Sequence, residues 1–217
     1  MESPFPLLLA ASGLMVVPFL VVSLTAFVKI AVVLFLVRSA LGIQQTPPNI
    51  VLYGVTIVLT AYVMSPVMAA SMAAITQGGS LTELPAPAEW PALLQRGVEP
   101  VKDFLFRLTT EQDRAFFLSA AQEMHSTTAV APQENDLFIL APAFVTAELT
   151  RAFEIGVLLY LPFIVVDLVI TNILTAMGMM MVSPMVISLP FKLLLFVAVD
   201  GWSRLTHGLV MSYVQVI

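Results

Sequence analysis

Two opposite charges interrupt an otherwise apolar C-terminal third: Asp167 within Leu161–Val169 and Lys192 within Ser188–Phe196. A lone Asp or Lys at the centre of a membrane helix costs about 2.5–3.5 kcal/mol, so each needs a partner or a route to water. Between them lies Met177-Gly178-Met179-Met180-Met181, fenced by Pro184. Asp167 is twelve residues before Met179 and Lys192 eleven after Met181, so a hairpin turning near 178–184 sets both charges at similar depth. They are expected to face one another as a buried charge pair, within a subunit or between subunits. The competing reading has Lys192 snorkelling to an interface and Asp167 satisfied by backbone donors.

The methionines offer a different chemistry. Thioether side chains are flexible and polarizable, so a cluster of them fills an irregular space and repacks when something passes. Successive helical residues step about 100° around the axis, so three adjacent methionines cannot share one face. Met177, Met180, Met181 and Met185 do fit i, i+3, i+4 spacing, which would make a Met-rich face packed in a core. Alternatively Gly178 and Pro184 break the helix, and Met179, Met180 and Met181 project into a central space. Several subunits would then form a deformable apolar seal.

No catalytic constellation is present, and the chain is read as a non-enzyme. His125 and His207 belong to no evident nucleophile–base arrangement, Gly-rich phosphate loops are absent, and there is no basic nucleic-acid surface. With no cysteine and two histidines, neither a metal site nor a cofactor is expected. Glu148 and Glu154 flank Arg151 at i±3, which reads as pairing on a helix surface.

The elements that must position these residues are membrane helices. Apolar residues make up 59% of the chain and charged ones 11%, with mean hydropathy +0.97, against about 25% charged in soluble domains. Leu7–Val28 is uncharged and long enough to cross about 30 Å of hydrocarbon. It lacks a preceding Lys or Arg and is read as a retained helix rather than a signal peptide. Lys29 and Arg38 then act as topology anchors beside a turn at Leu41–Asn49. Ile50–Ile75 is a second span, containing Pro66. Eleven of the fourteen acids lie between Glu83 and Glu154, so the formal charge of −5 is concentrated there. That stretch enters through Pro85, Pro87, Pro91 and Pro100, carries helical spacing over Val98–Leu108, and has a capping box at Thr110 and Asp113 that opens a helix to Met124. A loop follows at Ser126–Asn135, then a helix from Pro142 through Glu154. Only seven uncharged residues separate Lys192 from Asp200, so the last helix is a poor lipid-facing span. The expectation is an all-α membrane protein in three parts. Residues 1–76 form an N-terminal hairpin, 77–154 a small acidic helical insert, and 155–217 a C-terminal hairpin with a Met-rich loop. Charge bias places the insert and both termini outside.

These residues also resemble a known family. Phe27–Leu59, with Val37-Arg38-Ser39-Ala40-Leu41-Gly42 and Gln44-Gln45-Thr46-Pro47-Pro48-Asn49, is similar to the first signature of the FliP and SctR (HrcR/YscR) export-apparatus proteins of type III secretion. Leu161–Val169 is similar to the second, and Met177–Pro184, Ser188–Phe196 and Asp200-Gly201-Trp202 complete the likeness. The resemblance implies a non-enzymatic subunit of the export gate, more like an injectisome than a flagellar member. About five copies would assemble with one FliR-like (SctT) and four FliQ-like (SctS) subunits into a right-handed helical pore. That complex would sit in the bacterial inner membrane, raised toward the periplasm, and pass unfolded secreted proteins. It further implies that Met179, Met180 and Met181 form a pore gasket, and that Asp167 and Lys192 are the family's buried acid and base. The alternatives are a small-solute or ion channel and a structural membrane scaffold.

Overall fold

A chain this apolar has to satisfy its backbone internally, and in hydrocarbon only helices or a closed barrel can do so. The protein answers with helices. The structure, a computed structural model, describes residues 15, 18–43, 45–76, 89–124, 131–179 and 181–214. Among them are α1 (Phe27–Ala40), α2 (Asn49–Thr76), α3 (Trp90–Leu108), α4 (Glu111–Met124), α5 (Leu137–Ala176), α6 (Pro184–Ala198) and α7 (Gly201–Val214), with no strand among the described residues. Outside them lie Leu7–Leu14, Val16 and Val17 of the expected first span, Gln44 of the expected turn, Gln77–Ala88 with Pro85 and Pro87, His125 and half of the expected 126–135 loop, and Met180.

The first expected span is corrected. Helix covers 18–23, breaks at 24–26 and restarts as α1 through Lys29 and Arg38. At the break the Thr25 hydroxyl donates to the Val21 carbonyl (2.7 Å) and accepts from the Phe27 N–H (3.4 Å). Such local side-chain bonding competes with the helical ladder. Apolar residues continue from Ile30 to Val37, so nothing ends the helix at Val28. Ile30, Val33, Leu34 and Val37 form its buried stripe. Lys29 is therefore interior rather than an anchor at a boundary. It is 1% exposed, with its ammonium 3.6 Å from the centre of the Tyr213 ring, a contact that offsets burial by the attraction of a cation to a π face. Arg38 closes the following turn, donating to the Asn49 side chain and to the Pro47 carbonyl (3.3 Å).

The helix expected from Pro142 and the apolar run from Ile155 are one element, the 40-residue α5. Its length, about 60 Å, is twice the hydrocarbon thickness. Both α2 and α5 are long and apolar enough to cross a membrane, and α6 with α7 adds a pair bent by 59°. At that bend Asp200 takes a left-handed conformation (φ 55°), which Asp tolerates better than most residues. A Cβ on Gly201 would come within 2.3 Å of the Phe196 ring, so the next residue has to be small. Glu148, expected on a helix surface, is wholly buried.

The chain divides into two compact units, one comprising Met1–Val28 with Met64–Glu148 and the other Lys29–Val63 with Leu149–Ile217. In the first, Phe104, Leu105, Leu108, Ile139, Leu140 and Phe144 are buried, with the Phe104 and Phe144 rings 5.8 Å apart. Thr110 caps α4: it accepts from the Asp113 N–H (3.1 Å) and donates to the Asp113 carboxylate (2.6 Å). Arg114 staples the α3–α4 corner. It donates to the carbonyls of Phe106 (3.2 Å) and Thr109 (2.9 Å), to the Thr109 hydroxyl (3.1 Å) and to Glu134 (2.7 Å), with its guanidinium 4.0 Å above the Phe106 ring.

The carbonyl bonds matter more than the ion pair, because Glu134 is half-exposed and a solvated pair contributes about 1 kcal/mol or less. Arg114→Met is expected to destabilise this corner by about 2–3 kcal/mol through lost charge-assisted bonds, and Glu134→Gln by under about 1 kcal/mol. Hydrogen exchange of the α3 and α4 amides in the full-length protein measures both. Equal losses of protection would contradict the assignment.

Candidate functional site

The site grows from the end of α5. Gly178 has φ 73°, the left-handed region that favours glycine. Its N–H bonds the Thr175 carbonyl (3.0 Å), and the Met179 N–H reaches back to Leu174 (2.9 Å). This pair of bonds is the Schellman motif, which satisfies the last carbonyls of a helix and turns the chain away. On the far side Ser183 is extended, and Pro184 opens α6 at its first turn, where the missing N–H is harmless. Gly178 and Pro184 thus stand at the two ends of the segment between α5 and α6.

The Met-rich face packed in a core is corrected for this chain. Met177 and Met179 lie past the end of α5 and Met181 in the turn before α6. Met181 is fully exposed, while Met177, Met179 and Met185 are each more than two-fifths exposed. Met180 is not among the described residues.

Below the loop the structure brings Asp167 and Lys192 together within one chain. Lys192 Nζ donates to Asp167 Oδ2 at 2.6 Å and to the Ala40 carbonyl at 3.3 Å. Ser188 stands one turn before Lys192 on α6, and its hydroxyl donates to Asp167 Oδ1 at 2.6 Å. Ala40 is the last residue of α1, whose terminal carbonyls have no donor within the helix. One ammonium therefore serves a carboxylate on α5 and the negative end of α1. The partners differ in burial: side-chain exposure is 6% for Lys192 and 41% for Asp167. The pair is buried on its basic side and half open on its acidic side.

Gly42 lies beside this node. It is left-handed (φ 78°), and a Cβ there would stand 3.4 Å from Met185 Cε, 3.6 Å from Leu189 Cδ1 and 4.0 Å from Lys192 Nζ. The α1–α2 turn is thus seated directly against α6. Sequence reasoning missed Ser188 and the Ala40 carbonyl. The signal for Ser188 is its i−4 spacing from Lys192, on the same helix face. Among the described residues no group of three or more His, Asp or Glu is placed to hold a metal ion.

The exposure difference sets the mutational cost. Asp167→Ala strands an ammonium that is almost wholly buried, which is expected to cost about 3 kcal/mol, at the lower end for breaking a buried pair because Asp167 is partly open. Lys192→Met leaves a carboxylate still held by Ser188 and costs about 1 kcal/mol. The double substitution should lose less than the sum of the two, as contacting residues do. Thermal unfolding of the purified complex reads all three. Equal losses for the two single variants would contradict the node.

The chain is similar to known proteins along nearly its whole length. The FliP family model matches residues 9–209. The chain is 51% identical over 209 residues to the Yop proteins translocation protein R of Yersinia pestis, covering 95% of both chains. It is 44% identical over 213 residues to the hypersensitivity response secretion protein HrcR of Ralstonia nicotianae, covering 95% of this chain and 96% of that one. Over 202 residues it is 44% identical to the flagellar biosynthetic protein FliP of Cereibacter sphaeroides, covering 93% of this chain and 65% of that protein.

Proposed function

Because this chain belongs to the FliP family, we propose that it is a pore-forming subunit of a type III export gate, with Met179, Met180 and Met181 as its seal. Its place in a protein secretion apparatus is supported by relatives named for translocation and secretion that align with nearly its whole length. Those same relatives, matched end to end, favour the injectisome branch over the flagellar one.

The observation that carries the reading is the loop itself. Met179 and Met181 are exposed, yet the backbone that bears them is held by the Schellman stop at Gly178 and by Pro184. Exposed thioethers form an adaptable contact surface. Repeated around an axis they make a soft ring that excludes water and ions and yields to a polypeptide by changing rotamer. About five copies, with FliR-like and FliQ-like subunits, form the ring through heterologous contacts. Neighbouring subunits also cover α5, whose most apolar window is only 11% buried in its own chain. The complex sits in the inner membrane raised toward the periplasm, with the acidic 77–154 segment facing outward. The chain is a passive conduit without chemistry of its own. Asp167 and Lys192 set the angle between α5 and α6 and hence the position of the loop.

Replacing Met179, Met180 and Met181 together by alanine removes the thioethers and leaves Gly178 and Pro184 in place. The assembled triple variant is expected to conduct small ions well above the wild-type background in planar bilayers. Conductance at the wild-type level, in a complex of normal composition, would overturn the gasket.

A further inference from the structure

An apolar groove of about 410 Å³ opens in the second unit, lined by Leu159, Phe163, Leu195, Phe196 and Leu209 among others. That volume falls within the about 300–1,000 Å³ of small-molecule sites. Arg204 is the sole charged residue on its lining. It is exposed, and its guanidinium has no hydrogen bond, ion pair or ring contact among the described residues. An arginine on the lining of an otherwise apolar groove is matched by an anion, and its planar fork suits a phosphate.

Gly208 supplies a second, independent observation. It lies inside α7, where glycine is about 1 kcal/mol worse than alanine. It lines the groove, yet a Cβ there would meet nothing within 4 Å, so packing within the chain does not demand a glycine. The space it leaves belongs to the groove. Trp202, 40% exposed, is edge-on at 5.3 Å to Phe196, which lines the groove. Tryptophan is the side chain enriched where hydrocarbon meets headgroups.

We infer that this groove binds an acyl chain of an anionic phospholipid whose phosphate rests on Arg204. An uncharged helix of a neighbouring subunit would fill the apolar part and leave the guanidinium unpaired, whereas a phospholipid answers both. The site is separate from the Met loop and does not depend on the gate reading.

The test uses the assembled complex in mild detergent and phosphatidylglycerol bearing a diazirine on its acyl chain, with labelled residues mapped by peptide mass spectrometry. Labelling is expected at Leu159, Phe163, Leu195 or Leu209. Unlabelled phosphatidylglycerol should compete about fivefold better than phosphatidylcholine, the effect of one basic residue at an anionic headgroup. Arg204→Gln should abolish that preference. Gly208→Leu should remove the labelling while the complex stays whole, and Gly208→Ala should keep it. Equal competition by the two lipids in the wild type overturns the proposal, as does labelling that survives Gly208→Leu. So does a Gly208→Leu complex that falls apart with its headgroup preference intact, which would make the groove a subunit contact. If Gly208→Leu does not fold, the wild-type competition and Arg204→Gln decide the matter.

Discussion

A single ammonium group ties three helices of the second unit together. Lys192 reaches the carboxylate of α5 and the last carbonyl of α1 from its place on α6. An uncompensated charge in a dry interior is expensive, so the three helices have one arrangement in which all partners are met. Ser188 adds to the constraint by occupying the second carboxylate oxygen. The loop joining α5 and α6 begins at the left-handed Gly178 and ends at Pro184. The glycine at 42 lies beside the same node, where its left-handed backbone (φ 78°) favours glycine.

The surface of the chain carries the complementary message. Ile57, Val58, Tyr62, Met68 and Met72 of α2 and Val157, Leu158, Leu161, Val165 and Leu168 of α5 all lie exposed. Apolar patches of that extent mark lipid or protein contact. Since α5 is about 60 Å long, a bilayer can cover only part of it. Its first turns are covered within the first unit, where Ile139, Leu140 and Phe144 are buried, and the exposed apolar faces beyond them are left for lipid or other subunits.

Much of this was readable from residue types. The facing of Asp167 and Lys192 follows from their near-equal distance to the Met loop, and the loop ends follow from Gly178 and Pro184. The cap at Thr110 is a local pattern and is found where local pattern puts it. The failures have different causes, some distant in sequence and some local. Lys29 looked like a boundary residue because the ring that receives it belongs to Tyr213. Glu148, Arg151 and Glu154 looked like the solvated end of one helix before another began, whereas burial of Glu148 lets α5 run on without interruption. The break at 24–26 carries no Pro or Gly, and Thr25 alone is a weak signal. Neither the Ala40 carbonyl nor the groove beside Gly208 could be read from sequence, since backbone atoms and empty space have no letters.

The central claim is that the thioethers of several copies converge on one axis. The chain contains no cysteine, so Met181→Cys carries a single nitroxide label per copy at a fully exposed position. In the assembled complex in lipid bilayers, electron paramagnetic resonance should show strong dipolar broadening between labels and little relaxation by oxygen dissolved in the hydrocarbon. Sharp, non-interacting spectra with high oxygen accessibility would put Met181 against acyl chains and contradict the account.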